Sequence, residues 1–425
     1  MMPTLPAALG RTIWGLGDQA VSSLTNFAVG IVVARALGPE GFGAFSLVFA
    51  TYLITISVAR ALASEPLIVR YSAASSQAWR GAAGRATGTS AAIGAVAGIA
   101  CLAIGLLWSG PVGAGLLGLG VCLPGLLVQD CWRFAFMARA TPRSALMNDS
   151  VWAIVLALLL GAVLATDATS VLWAVLAWGG GATAAAAVGV LQASVLPRPT
   201  ATHRWWVEHR DVAPQFAGES VALAAATQLS LFGIGAVAGI SAVGAFRGGL
   251  LLFAPMQLLL LAAPLVAVPE AARALRAGAS HLRIAALVGV ALSALALTLA
   301  VFLLLLPDEI GRWILGDTWD AARPLLGPLT LAVLATAVLT GPFVSLRALA
   351  ASRHSLRARS VNSVAALVAE VAGAAAAGAI GAAWGSAAGM WIGAAVWWRE
   401  LRDATASDRY ARRIREGANR DPTAC

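Results

Sequence analysis

The sequence predicts an all-α integral membrane protein: 12 transmembrane helices in two six-helix halves of like orientation, with both termini in the cytoplasm. Three observations carry this: an apolar composition, apolar runs of membrane-spanning length, and a one-sided distribution of arginine. Of the 425 residues, 59% are AVILMFWYC and 12% are charged, with a mean hydropathy of +0.81, whereas soluble domains hold about 25% charged residues. A spanning helix takes about 20 apolar residues, so 12 of them leave no room for a separate soluble domain. All 29 basic residues are Arg. The lack of Lys excludes the phosphate-loop lysine of nucleoside triphosphatases and any lysine Schiff base.

Apolar runs broken by charge, Pro or Gly place spans at 14–36, 43–63, 86–108, 111–133, 147–166, 171–194, 215–239, 244–268, 284–306, 322–346, 360–378 and 380–398. The connections alternate between very short ones and longer ones rich in Arg. On the short side the exception is Pro307 to Ala321, which carries Asp308, Glu309, Asp317 and Asp320. Of the 29 Arg, 25 fall on one side, the tail from Arg399 to Arg420 included; Arg35, Arg247, Arg312 and Arg323 fall on or near the other. The positive-inside rule makes the Arg-rich side cytoplasmic. It also accounts for the net charge of +9 without nucleic acid as a partner.

The start, with Asp18 inside the first span, lacks the basic, apolar and small-residue order of a signal peptide and is read as uncleaved. Trp205, Trp206, Trp313, Trp397 and Trp398 sit at predicted span ends, the position of headgroup-layer anchors. Four Cys residues give neither a disulfide framework nor zinc spacing. Gly113 to Gly118 spells GxGxxG inside an apolar run with no strand before it, which reads as helix packing rather than a dinucleotide site. His203, His209, His281 and His354 are expected to be solvated loop residues, and no metal site is expected.

A shift of 201 residues aligns Gly17-Asp18 with Gly218-Glu219 and Gly43-Ala44-Phe45 with Gly244-Ala245-Phe246. It also carries spans 1 and 2 onto spans 7 and 8. Six spans per half gives both halves the same orientation, as in transporters built from parallel repeats, with a substrate path between them. The expected domains are a bundle at 1–196, a cytoplasmic linker at 197–214, a second bundle at 215–398, and an Arg-rich cytoplasmic tail at 399–425.

The stretch ARALGPEGFGAFSLVF from Ala34 to Phe49, following GDQAVSSLTNFAVGIVV, resembles the start of polysaccharide and O-antigen flippases of the multidrug/oligosaccharidyl-lipid/polysaccharide exporter superfamily. RFAFMARATPR from Arg133 to Arg143 and LGDTWDAARPLL from Leu315 to Leu326 are similar to later pieces of the same family. The resemblance implies two six-helix bundles around a central cavity that opens alternately to each side of the cell membrane. It further implies translocation of a polyprenyl-diphosphate-linked oligosaccharide by a protein that is not an enzyme. Membrane lipid and the lipid-linked glycan are then the expected partners, polysaccharide-assembly enzymes candidate ones, H+ or Na+ candidate coupling ions, and a monomer the expected state; no other cofactor is expected. The alternatives are a cation-coupled multidrug or small-molecule exporter of the same superfamily and, less suited to the short outer connections, a membrane-embedded glycan polymerase or ligase.

A diphosphate crossing the membrane needs cations, and the planar guanidinium fork of Arg suits phosphate oxygens. Arg35 and Arg247, which loop sorting does not explain, are candidate substrate-binding residues; the alternative is that both snorkel to the headgroups. Arg60 and Arg133, at the cytoplasmic ends of spans 2 and 4, are two more, or ordinary positive-inside residues. Asp130 and Asp149 are expected to pair with Arg133 and Arg143. Glu370, about ten residues from either end of span 11, is a candidate coupling carboxylate or a structural bond to another helix. Asp18 and Glu219, at matched repeat positions, are candidate cavity carboxylates or first-turn partners of the helix dipole. Pro255, Gln257 and Pro264 predict a bend in span 8.

Overall fold

The computed structural model describes the backbone of residues 5–166, 169–211, 228–277 and 279–420, and side chains chiefly between Val21 and residue 406. The side chain of Asp18, Glu219, and the predicted span 215–239 up to residue 227 lie outside the described residues. Among the described residues all regular structure is helical, and nine helices are long and apolar enough to cross a membrane. Leu261, Leu265, Val266, Leu287 and Val290 are exposed, a surface suited to lipid contact. The chain is a multi-pass membrane protein.

By contact the chain forms two compact units, Met1–Phe232 with Trp313–Thr318, and Gly233–Arg312 with Trp319–Cys425. The division falls at Phe232–Gly233, and residues of the 197–214 connection belong to the first unit.

In the first unit, α1 (Leu5–Ala59) is broken at Gly38, whose φ of 64° favours glycine, with Pro39 restarting the helix. This single-residue break separates the two spans expected at 14–36 and 43–63. A π-turn, Arg60–Ser64, and α2 (Glu65–Tyr71) continue the second span beyond its predicted end at residue 63. Then come α3 (Ser76–Leu107), α4 (Pro111–Ala138), α5 (Pro142–Ala165) and α6 (Val171–Ala193). Ser75 and Ser170 cap α3 and α6, while Pro111 and Pro142 open α4 and α5. α3 packs on α4, α4 on α6, and α5 on α6 and α1. A methyl on Gly98 of α3 would meet the Gly120 carbonyl of α4 at 2.5 Å, so small residues set this approach. Gly113, Gly115 and Gly118, of the GxGxxG string, are likewise closely packed among helices.

The short helix α7 (Thr202–His209) docks onto the same unit. Trp205 lies in a buried cluster with Leu67, Trp79, Trp132 and Phe136, and its indole N–H donates to Leu62 O at 2.9 Å. Two expectations are corrected here. Trp205, and Trp397 in the second unit, are 1% and 2% exposed rather than headgroup anchors; packing in the protein interior wins over the interface. His209 is buried rather than solvated, its ring stacked on Trp205 at 3.9 Å.

α8 (Gln228–Ala238) precedes the second unit's α9 (Ile240–Leu252) and α10 (Ala254–Arg276). α9 and α10 meet at Phe253, with Pro255 in the first turn of α10. The expected bend in span 8 is this break. α11 (His281–Leu304) is followed by α12 (Asp308–Leu315) and α13 (Thr318–Ala322), so the acidic connection is itself helical. α14 (Leu326–Ala348) packs on α10, α11 and α15 (Ser352–Arg420). α15 breaks at Ala377 and Gly378 (φ 59°), between the spans expected at 360–378 and 380–398, and its helix continues through the predicted tail to Arg420. Gly381, Gly385, Gly389 and Gly393 form an i,i+4 ridge on its second leg. A methyl on Gly385 would meet Ala369 O at 2.0 Å, so the two legs pack backbone to backbone.

Candidate functional site: a charge cluster and a shielded arginine

The first unit gathers four ionised side chains, two of them buried carboxylates. Arg60 donates to both carboxylate oxygens of Asp130, Nε to Oδ2 at 2.8 Å and Nη2 to Oδ1 at 2.6 Å. Arg133 sits one turn after Asp130 on the same face of α4, 3.9 Å from Asp130 Oδ1, with its Nε 3.1 Å from Asp149 Oδ2. Gln129 donates to Asp149 Oδ1 at 2.9 Å, and the Asn148 amide donates to Ala185 O at 2.7 Å and Gln192 Oε1 at 3.2 Å. Tyr52, edge-on to the Trp178 ring at 4.8 Å, lies within electrostatic reach of all four charges.

Local sequence explains the assembly. The π-turn that starts at Arg60 has the Glu65 N–H bonded to Arg60 O, widening the helix by one residue where the guanidinium must reach across to α4. Asn148 and Asp149 lie ahead of the apolar stretch of α5 and are both fully buried. They face α4 and α6, not lipid, as burial of unpaired charge would cost several kcal/mol. Among the described residues of the cluster, two guanidinium groups stand against two carboxylates. Its side chains differ in access: Arg60 is 38% exposed, Arg133 14%, Asp130 5% and Asp149 0%. Arg60 is therefore the member an external anion can reach. No nucleophile with an activating base is in this set, so the arrangement suits binding rather than bond cleavage.

Of the sequence-derived candidates, Arg60 and Arg133 come together, and Asp130 and Asp149 are their partners. Arg143, the other expected partner, lies instead over the Trp14 ring at 4.7 Å. Arg35 is exposed at the break end of α1, donating from Nη1 to Trp313 O at 2.7 Å with its guanidinium 5.8 Å from the Trp313 ring centroid. Thr318 Oγ1 donates to Ala34 O at 2.7 Å beside it. Arg35 thus fastens the Trp313–Thr318 segment.

In the second unit, Arg247 lies on α9 between Phe246 and Gly248, both buried. Its Nε is shielded from solvent, and among the described residues it has neither a hydrogen-bond acceptor nor a carboxylate partner. Glu370 is half-buried on the first leg of α15, directly behind the close contact with Gly385, and is partnered rather than isolated. Sequence reasoning missed Tyr52 and Asn148. The adjacent Asn148-Asp149 pair ahead of a long apolar stretch was the signal for the second of them; Tyr52 had none.

No family model matches the chain, and no curated protein matches it by sequence. Solved structures do match over nearly its whole length. An inward-facing multidrug-resistance MATE family transporter of the MOP superfamily superposes with a TM-score of 0.66 at 14% identity, over 93% of this chain and 99% of that one. The lipid II flippase MurJ in an inward closed conformation superposes with a TM-score of 0.66 at 10% identity, over 93% of this chain and 90% of that one. A MOP superfamily transporter from Pyrococcus furiosus, described as having a binding pocket of reversed polarity, gives 0.54 at 14% identity over 94% and 96%. The chain has the fold of the MOP exporters.

Proposed function

We propose that this protein is a flippase that moves a polyprenyl-diphosphate-linked oligosaccharide across the cell membrane by alternating access. In this reading it has 12 spans, both termini in the cytoplasm, and works as a monomer. The observation that carries the proposal is Arg247, a guanidinium whose Nε is closed off from water and offered no acceptor by the described residues. A buried donor left unsatisfied costs about 1–3 kcal/mol, more when charged; an anionic ligand supplies the missing acceptors. Arg60 extends the reading to the first unit. It already holds a carboxylate in the bidentate geometry that also fits phosphate, and it is the exposed member of its cluster. The fold likeness to MurJ, described as a lipid II flippase, supports the same chemistry class.

Glu370 sustains a second reading, a cation-coupled exporter with H+ or Na+ as the coupling ion. A carboxylate within an apolar helix is suited to that task, and the MATE transporter is equally similar in fold. The carboxylates Asp130 and Asp149 favour the flippase reading, because each is already neutralised by arginine.

The test is reconstitution into liposomes with a fluorescent polyprenyl-diphosphate sugar, scored for leaflet transfer. Acceleration over empty vesicles that is abolished by Arg247→Gln is expected. Transfer no faster than in empty vesicles, alongside ion-driven uptake of an amphipathic cation, would replace the first reading with the second.

A further inference from the structure

A groove lies outside the charge cluster, where the chain leaves α6. Ser194 ends that helix in the left-handed region, φ 49°, and residues 195–200 then run as a strap along the first turns of α3. The strap is fixed there: the Arg198 N–H donates to Gly84 O at 2.7 Å, and a methyl on Gly88 would strike the Arg198 backbone at 2.2 Å. Between strap, α3 and the end of α6 is an open groove of about 1020 Å³. Gln77 and Arg80 line it from α3, Leu191 from α6, and Leu196 and Arg198 from the strap.

The lining of this groove is of two chemical kinds. Leu191 and Leu196 are 76% and 72% exposed, which places apolar surface where a bilayer would cover it. Arg80 and Arg198, also in the lining, are exposed. Arg80 donates to Ser194 O, and among the described residues neither arginine has a carboxylate partner. The acids of this region are engaged elsewhere: Glu208 with Arg85 and Arg204, Asp211 with Arg70. The volume is that of a pocket for a whole small molecule, far beyond one phosphate ion.

We propose that this groove binds the headgroup of an anionic phospholipid, the phosphodiester on Arg80 and Arg198 and the first acyl carbons on Leu191 and Leu196. A bare phosphate would leave the leucines in water; a zwitterionic lipid would offset the arginines' attraction with its own cation. Basic pockets at the membrane boundary select anionic lipid by this charge matching, at about 1 kcal/mol per arginine, or about fivefold in affinity. The site is separate from the transported substrate, so its test does not depend on the flippase reading.

Protein purified in neutral detergent is titrated with phosphatidylglycerol, phosphatidylcholine or inorganic phosphate, and bound lipid is counted by native mass spectrometry. Phosphatidylglycerol is expected to bind at least about fivefold tighter than phosphatidylcholine. Arg80→Gln with Arg198→Gln should abolish the preference, and Arg80→Lys with Arg198→Lys should keep most of it. Arg198→Gln alone, which leaves the Arg80 hydrogen bond in place, should weaken phosphatidylglycerol about fivefold should the double variant fail to fold. Equal binding of the two lipids, or an unchanged preference in the Gln variants, would overturn the proposal. Displacement of phosphatidylglycerol by inorganic phosphate at like concentration would also overturn it, in favour of a site for a free anion.

Discussion

Arg60 and Asp130 are joined by two hydrogen bonds, at 2.8 and 2.6 Å, across 70 residues of sequence. A fork on a carboxylate has the geometry of a fork on a phosphate, so a diphosphate reaching Arg60 competes with Asp130. Asp130→Asn removes the competitor's charge. Farnesyl diphosphate binding, measured by calorimetry, should tighten about tenfold, as expected for about 1.4 kcal/mol, while flipping slows because release becomes harder. Weaker binding in Asp130→Asn, together with full transport in Arg60→Gln, would reduce the pair to a structural bridge.

Arg133 and Asp149 form the deeper pair. Asp149 has no exposure and also accepts from Gln129. Removing one partner strands the other charge, at a cost of about 3–5 kcal/mol, whereas replacing both with apolar groups of similar size is often close to neutral. Asp149→Leu should therefore lower unfolding stability in detergent by about that much, and adding Arg133→Met should recover most of it. Additive losses in the double variant would mean the two side chains do not share one interaction.

Arg247 predicts a trade-off between stability and function. Met in its place fills similar volume without a donor to satisfy, so Arg247→Met should raise stability by about 1–3 kcal/mol while transport of the anionic lipid falls to background. Arg247→Lys, which keeps charge but not the planar fork, should fall between. A destabilised Arg247→Met protein would show instead that the guanidinium is satisfied at rest.

The elements that were legible in the sequence are those set by apolar run length. The breaks at Gly38 and Gly378 fall where composition changes between expected spans, and Phe253 interrupts the helix beside the Pro255 that signalled a bend. What was not legible follows from tertiary choice. Nothing in the run around Arg60 distinguishes a π-turn from the end of a span, since both place Arg next to Ala and Ser. Trp205 and Trp397 read as interface anchors because an indole near a span end suits either headgroup layer or protein interior; only packing decides. Arg60 and Arg133 were identifiable as candidates, but their neutralisation depended on the rotational setting of α4 against α1 and α5, which spacing alone does not fix.

Two glycines of the second unit make a matched test of the helix packing. Gly385 faces Ala369 O, so any side chain there forces the legs of α15 apart. Gly327, in α14, has nothing within 4 Å of its added methyl and ordinary helical backbone. Gly327→Ala should be neutral or stabilise by up to about 1 kcal/mol through helix propensity. Gly385→Val should destabilise by several times that, read as loss of monodisperse protein or of melting temperature. Similar effects at both positions would remove close packing as the reason for the ridge.

His209 makes the docking of α7 sensitive to acid. Burial holds its ring below the usual histidine value, its largest influence; the Trp205 carbonyl and Glu208 act in the opposite sense, and Arg70 and Arg85 act with burial. Tyr71 and Trp205 flank it, Nδ1–H donates to Trp205 O at 2.8 Å, and Nε2 is buried without a partner among the described residues. With the folded value lowered from 6.5, the folded state binds fewer protons than the unfolded one across that window. Stability is then full above about pH 6.5 and is lost as pH falls towards the folded value. Amide exchange across residues 202–209 should accelerate as pH drops below 6.5, after correction for the intrinsic rate. His209→Phe keeps the stack on Trp205 without a titrating group, so its exchange should be flat over the same range; an equal acceleration there would show that His209 is not the source of the acid response.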